Sequence, residues 1–207
     1  MAADGPGRIA LIRHGETEWS ASGRHTSVTD IPLTPRGERQ ARQVPDILAM
    51  LGIAPATVIV SPRLRARHTA EYAGLVGTVD PDLTEWNYGD YEGLTTPEID
   101  ANRKGWSLFT DGAPGGESPA QTAARADRVL ARASTKLPDG DVALICHGHI
   151  SRILAVRWVG LPPSAGGIVA LDPACVTVLG TYRDAPIIEH SNVPSPEAAR
   201  PGKRGTT

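Results

Sequence analysis

Residues 8–19 read RIALIRHGETEW, an apolar run that stops at an arginine and a histidine followed by glycine. A short β-branched run bounded by charge reads as a buried strand, which leaves His14 at the point where the strand ends. There it is either an ordinary hydrogen-bonded side chain or a nucleophile.

Outward from this stretch the same pattern recurs. Strand-like runs at TVIV (57–60), VALIC (142–146) and ACVTVLGTY (174–182), with weaker ones at TVDPDL (78–83) and PIIEH (186–190), alternate with helical periods. Those periods cover about 35–51, 62–74, 118–136 and 149–159. Alternation of this kind marks βαβ units, so the expected class is α/β with a mostly parallel central sheet. Thr34-Pro35, Ser61-Pro62 and Ser118-Pro119 each set a capping hydroxyl before a proline at the first helical position.

Residues 87–117, with GDYEGLTTPEI and DGAPGGES, read as a partly helical excursion of the kind that covers active sites. From Ser191 the chain reads SNVPSPEAARPGKRGTT, with three prolines and little that is apolar. The expected organisation is one domain over 1–190 and a disordered tail over 191–207.

The 207 residues suit one full core, and 40% apolar against 21% charged residues is the balance of a folded soluble domain. A net charge of −2 gives no overall field for nucleic acid or an anionic membrane, so any anion must be held by local clustering. No stretch reaches the length of a membrane span, and the start lacks the basic and apolar regions of a secretion signal. The cytoplasm is therefore the expected location, and a homodimer is an oligomeric state left open. Cys146 and Cys175 have no CxxC spacing, which suggests neither a disulfide framework nor a zinc site.

In an open α/β sheet, ligands bind at the carboxyl ends of the strands. There the chain sets Arg13 and His14, then Ser61 to Arg65, then Glu85, then His147 to His149. Arg63, Arg65, Arg67 and His68 fall in the first two turns of a helix, the end at which the macrodipole opposes positive charge. They form either a phosphate site, in which helix N–H groups and arginine forks share an anion, or a solvated face paired with carboxylates. His147 and His149, two apart, would face one metal ion only on a strand, and no acidic ligand follows at metal spacing. No metal or cofactor is expected.

The strings LIRHGETEW, DIPLTPRGERQA, VSPRLRARHTA, LTEWNYGDYEG and CHGHISR occur in that order over about residues 8–160. Together they resemble the histidine phosphatase superfamily, in its phosphoglycerate mutase-like branch. The resemblance implies a three-layer αβα fold and a metal-independent phosphomonoester hydrolase that works through a phosphohistidine on small phosphorylated metabolites. The alternative it leaves is a phosphoglycerate mutase. By the same likeness His14 is the nucleophile, Arg13 and Arg65 hold the phosphoryl group, His147 is the second pocket histidine and Glu85 is the general acid and base. Ser20 stands where many members have a phosphate-touching asparagine, and Arg63 where many have leucine. Longer strings look most like fungal sedoheptulose bisphosphatases and actinobacterial acid phosphatases of this branch. That likeness makes His25, Thr26 and Arg152 candidates for the rest of a sugar or for its distal phosphate, while Arg63, an extra arginine near the pocket mouth, suggests a second anionic group on the substrate.

The residue types suit the chemistry. An imidazole attacks only when neutral, with one nitrogen bare and the other donating to a fixed acceptor such as a backbone carbonyl. Two arginines would carry the charge of the transferring group, and phosphate beside Glu85 would favour the protonated acid, giving an acidic to near-neutral optimum. Hydrolysis is preferred over transfer because a mutase needs a closed lid, and the segment from Glu85 to Ser118 is short.

Overall fold

The computed structural model describes residues 7–195. Its strands are β1 (Ile9–Arg13), β2 (Pro55–Val60), β3 (Thr78–Val79), β4 (Asp141–Cys146), β5 (Val176–Tyr182) and β6 (Ala185–Val193). Its helices are α1 (Glu18–Ser22), α2 (Pro35–Arg42), α3 (Val44–Met50), α4 (Leu64–Tyr72), α5 (Thr96–Asn102), α6 (Leu108–Asp111), α7 (Pro119–Ser134) and α8 (Gly148–Trp158). The sheet order is β3-β2-β4-β1-β5-β6. The first four strands are parallel, while β5 runs against β1 and β6 against β5.

Period-two alternation explains the layers. In β1, Ile9 and Leu11 join one apolar cluster while Ala10 and Ile12 join the other, and all four are wholly buried. In β4, Val142, Leu144 and Cys146 face the first cluster, Ala143 and Ile145 the second. The first cluster is closed by α7 and α8, the second by α3 and α4. A strand covered on both faces has no polar side, which is why these runs read as continuous apolar stretches. Each fully buried Ile or Leu stabilises the fold by about 1.5–3 kcal/mol. The result is the expected αβα sandwich around a mostly parallel sheet.

Several expected boundaries move, each for a local reason. The helical period at 35–51 divides at Gln43, because Pro45 has no N–H for the Ala41 carbonyl and its ring would clash there. The strand expected at 78–83 stops at Val79, and Pro81 opens a single 3₁₀ turn instead. The strand expected from 174 begins at Val176, since Ala174 lies in the left-handed region with φ 56°. The domain boundary at 190 falls inside β6, which runs to Val193, and Ser195 is buried. Main-chain pairing with β5 holds this edge strand, a force that its polar side chains do not advertise. The rest of the expected tail, from residue 196, lies outside the described residues. Among the described residues no helix is long and apolar enough to cross a membrane.

Ala174 holds the end of β1: its N–H points at the carbonyls of Arg13 (3.1 Å) and His14 (3.2 Å). An L-residue other than glycine adopts that backbone at a cost of about 1–2 kcal/mol. Ala174→Gly should therefore raise stability by about 1 kcal/mol, or about 2–4 °C in Tm for a chain of this size. A lower Tm in a thermal melt would show that the strain is absent.

Candidate active site

The register of β1 against β4 pairs Arg13 with Cys146, so the residues that follow, His14 and His147, leave adjacent parallel strands side by side. The His14 N–H donates to the Cys146 carbonyl at 3.0 Å. The two imidazoles meet edge to face, with ring centroids 5.2 Å apart. A cavity of about 370 Å³ opens at this carboxyl edge, and Arg13, His14 and Glu85 line it.

His14 Nδ1 lies 2.7 Å from the carbonyl of its neighbour Gly15, an acceptor only, so Nδ1 carries the hydrogen and Nε2 is bare. Burial, then the charges of Arg65 and Arg13, hold this imidazole well below the usual histidine range, outweighing the Gly15 bond. It is a neutral base with its free nitrogen available. The loop that carries it is fixed by Thr69, whose hydroxyl accepts from Gly15 N (3.0 Å) and donates to the Arg65 carbonyl (2.7 Å). Gly15 also packs directly on Gly37 of α2, where a Cβ on Gly15 would collide with the Gly37 carbonyl. These two contacts give the threonine of RARHTA and the glycines of RHG and TPRGE their physical purpose.

Arg65 is wholly buried. Its Nε donates to His147 Nδ1 (3.1 Å), and its Nη groups donate to the carbonyls of Thr29 and Thr26 (3.0 Å each) and of Ser27 (3.3 Å). His147 therefore carries its hydrogen on Nε2 and donates it to the Ser61 hydroxyl at 2.7 Å. The expectation that Ser61 caps the following helix is thus corrected: Arg63 occupies the cap position without a side-chain capping bond, and Ser61 serves His147. The four basic side chains at that helix start do not act together either. Asp30 takes the Leu64 N–H at 2.7 Å, supplying the negative charge at the helix start, while Arg67 and His68 line a different cavity.

Glu85 is buried at the N-terminus of α8. Its carboxylate accepts from the N–H groups of Trp86 (2.8 Å), Ile150 (2.8 Å) and His149 (3.0 Å). The segment that carries it is pinned by Arg125 on α7, which donates to the carbonyls of Asp82 (2.7 Å) and Thr84 (2.6 Å) and forks onto both oxygens of Glu117. Arg13 donates Nη1 to the Leu171 carbonyl at 2.7 Å, but its buried Nε has no partner among the described residues. A buried guanidinium N–H without an acceptor is costly, so this atom is suited to take an oxygen from an incoming anion. Gly148 leaves room for that arginine, since a Cβ there would lie 3.3 Å from Arg13 Cζ.

The remaining candidates divide. Ser20, Thr26 and Arg152 line the cavity. The Ser20 hydroxyl is engaged in the capping box of α1, bonded to Thr17 N–H (2.8 Å) and Thr17 O (3.0 Å). Arg152 lies over the Phe109 ring at 4.4 Å and is tied to the carbonyls of Gly166 and Gly167. Arg63 turns away to the Val28 carbonyl, and His25 is packed between Tyr88 and Trp106, so neither lines the cavity. His149 and Tyr88 do line it; the sequence set His149 at this edge only as a metal-ligand candidate and gave no sign of Tyr88. Burial, then the Glu85 charge, keeps the Tyr88 phenol protonated, so it donates to His149 Nδ1 at 2.6 Å. His147 and His149 thus serve different partners, and among the described residues no three His, Cys, Asp or Glu side chains are grouped to hold a metal ion. Arg125 did leave a signal in the sequence: it is a charge on the apolar stripe of α7, beside Thr122, Ala126 and Val129.

Burial holds His14, His147 and His149 neutral, with nearby positive groups adding to it, and burial also lowers His25. In the unfolded chain each takes up a proton below about pH 6.5, so the unfolded state binds more protons there and stability falls as pH drops. Each strongly shifted histidine should cost about 1.4 kcal/mol per pH unit below that point. Urea unfolding at pH 7.5 and 5.5 reads this directly. A midpoint unchanged or higher at pH 5.5 would mean that these rings are charged in the fold.

Comparison with known proteins gives the site its kin. The chain is 42% identical over 196 residues to an acid phosphatase of Mycobacterium tuberculosis, covering 93% of this chain and 97% of that one. It is 37% identical over 184 residues to the sedoheptulose 1,7-bisphosphatase of Saccharomyces cerevisiae, covering 74% and 68%. Among solved structures, that of the Mycobacterium tuberculosis open reading frame Rv3214 superposes with a TM-score of 0.88 at 40% identity, over 91% of this chain and 98% of that one. The family model spans residues 9–194, well past residue 160 where the recognisable motifs end. With His14, Arg13, Arg65, His147 and Glu85 gathered at one carboxyl edge, the chain belongs to the histidine phosphatase superfamily, branch 1.

Proposed function

We propose that this protein hydrolyses phosphomonoesters of small metabolites, sugar phosphates and bisphosphates among them, through a phosphohistidine at His14. The observation that carries the proposal is the pairing of a neutral His14, its Nδ1 held by the Gly15 carbonyl, with the unpartnered Nε of Arg13 in one cavity. The acid phosphatase and bisphosphatase relatives support the same chemistry.

In the first step Nε2 of His14 attacks phosphorus and the ester P–O bond breaks. Arg13 takes up charge on the transferring oxygens, with Arg65 and His147 behind them. The alcohol leaves with a proton from Glu85. In the second step Glu85, now ionised, takes a proton from water. The resulting P–O bond replaces the P–N bond, inorganic phosphate departs and His14 returns neutral. The reaction as drawn needs only the cations of this chain. Arg152, in the cavity wall, is the candidate for a distal phosphate or hydroxyl. We place the reaction in the cytoplasm, in keeping with two free cysteines, Cys146 and Cys175.

Purified protein should release phosphate from a panel of monophosphates and sugar bisphosphates without added metal. His14→Ala should abolish release, and Glu85→Gln should lower kcat on an alkyl phosphate by about 10²–10⁴-fold. Unchanged turnover in the Glu85 variant would remove it from the proton transfer. If no ester were cleaved but 3-phosphoglycerate were isomerised with a bisphosphoglycerate primer, the protein would be a mutase.

A further inference from the structure

Asp172 also lines the cavity, and the reaction above has no use for it. It directly follows Leu171, whose carbonyl holds Arg13 at 2.7 Å, so its backbone is tied to the phosphate end of the cavity. Its charge acts on Arg13.

The side chain is held by an elaborate local arrangement for an exposed carboxylate. Asp172 N–H donates to Asn192 Oδ1 at 2.6 Å, and Asn192 Nδ2 donates back to Asp172 Oδ2 at 3.0 Å. Asn192 has a φ of 54°, a conformation that asparagine tolerates better than most residues. It lies where the pairing of β6 with β5 shifts register, between the partners of Val176 and Val178, and its own N–H donates to Thr177 Oγ1 at 3.1 Å. A register shift of this kind re-aims a side chain, here that of Asn192 onto Asp172. An ionised carboxylate offers about four acceptor positions and no donor, so an Asn192 bond to one oxygen leaves capacity for O–H groups.

We propose that Asp172 is a specificity determinant of this site: its carboxylate accepts a hydroxyl from the alcohol part of the substrate and so selects phosphorylated polyols over hydroxyl-free esters. Asn192 is its positioning residue. The proposal rests on the phosphomonoesterase function given above.

The test compares glycerol 3-phosphate with n-propyl phosphate, esters matched in carbon skeleton but not in hydroxyls. Asp172→Asn preserves shape and can still accept the Asn192 N–H, but it has lost the charge. The wild type should prefer glycerol 3-phosphate, and the variant should lower the ratio of the two kcat/KM values by about tenfold. Asn192→Ala should lower the ratio in the same direction by less. A ratio unchanged in Asp172→Asn, whatever happens to the absolute rates, overturns the proposal, because loss of structure alone would slow both esters together. If the wild type cleaved neither ester nor any other phosphomonoester, the failure would lie in the hydrolase function itself.

Discussion

The parallel pairing of β1 with β4 is the constraint on which the site depends. Because Arg13 lies opposite Cys146, the two chain exits place His14 and His147 side by side, and a one-residue slip would send Arg13 and the apolar set of β1 to the wrong faces. That register is held by burial on both sides: Ile9 and Leu11 cannot exchange with Ala10 and Ile12 without disrupting two packed clusters at once. The strands therefore secure the catalytic geometry as well as the core.

Around this edge the protein satisfies its buried charges mostly with its own backbone. Arg65 is held by carbonyls of the 26–29 loop, and the same loop offers its N–H groups to Glu92, which accepts from Ser27 N (2.9 Å) and Thr29 N (3.0 Å). Glu85 draws on the first turn of α8, and Asp30 on the first turn of α4. The start of α4, one of whose two readings was a phosphate site, is thus occupied by a carboxylate of the chain, and so is the start of α8. The buried Nε atoms of Arg13 and Arg63 both lack a partner among the described residues, and of the two arginines Arg13 lines the cavity.

The segments outside the motifs do more than cover the site. Within the excursion at 87–117, Glu117 forks with Arg125 and so fixes the strand of chain that delivers Glu85. At the far end, β6 brings Asn192 against Asp172, which lines the cavity. A stretch rich in polar residues and proline, easily taken for a tail, reaches the functional edge because main-chain pairing with β5, with Val193 packed on the second cluster, holds a strand at the margin of the sheet.

Much was legible in the sequence: the strand periods, the capping of α2 and α7 by Thr34 and Ser118, the parallel class of the sheet, and the four motifs that carry His14, Arg13, Arg65, His147 and Glu85 to the carboxyl edge of the sheet. Each depends on residue type and spacing along the chain, which local physics reads directly. The caps at residue 61, the joint action of Arg63 to His68, and the positions of His25 and Arg63 were not legible, nor were the bonds of Tyr88, Thr69 and Arg125. For those, several acceptors lie within reach of one flexible donor, and which one is met depends on contacts between residues tens of positions apart. The sequence by itself determined which chemical groups arrive at the carboxyl edge of the sheet. Only the tertiary structure decided which of them face the cavity, because that choice is made by packing across the layers, after the local elements have formed.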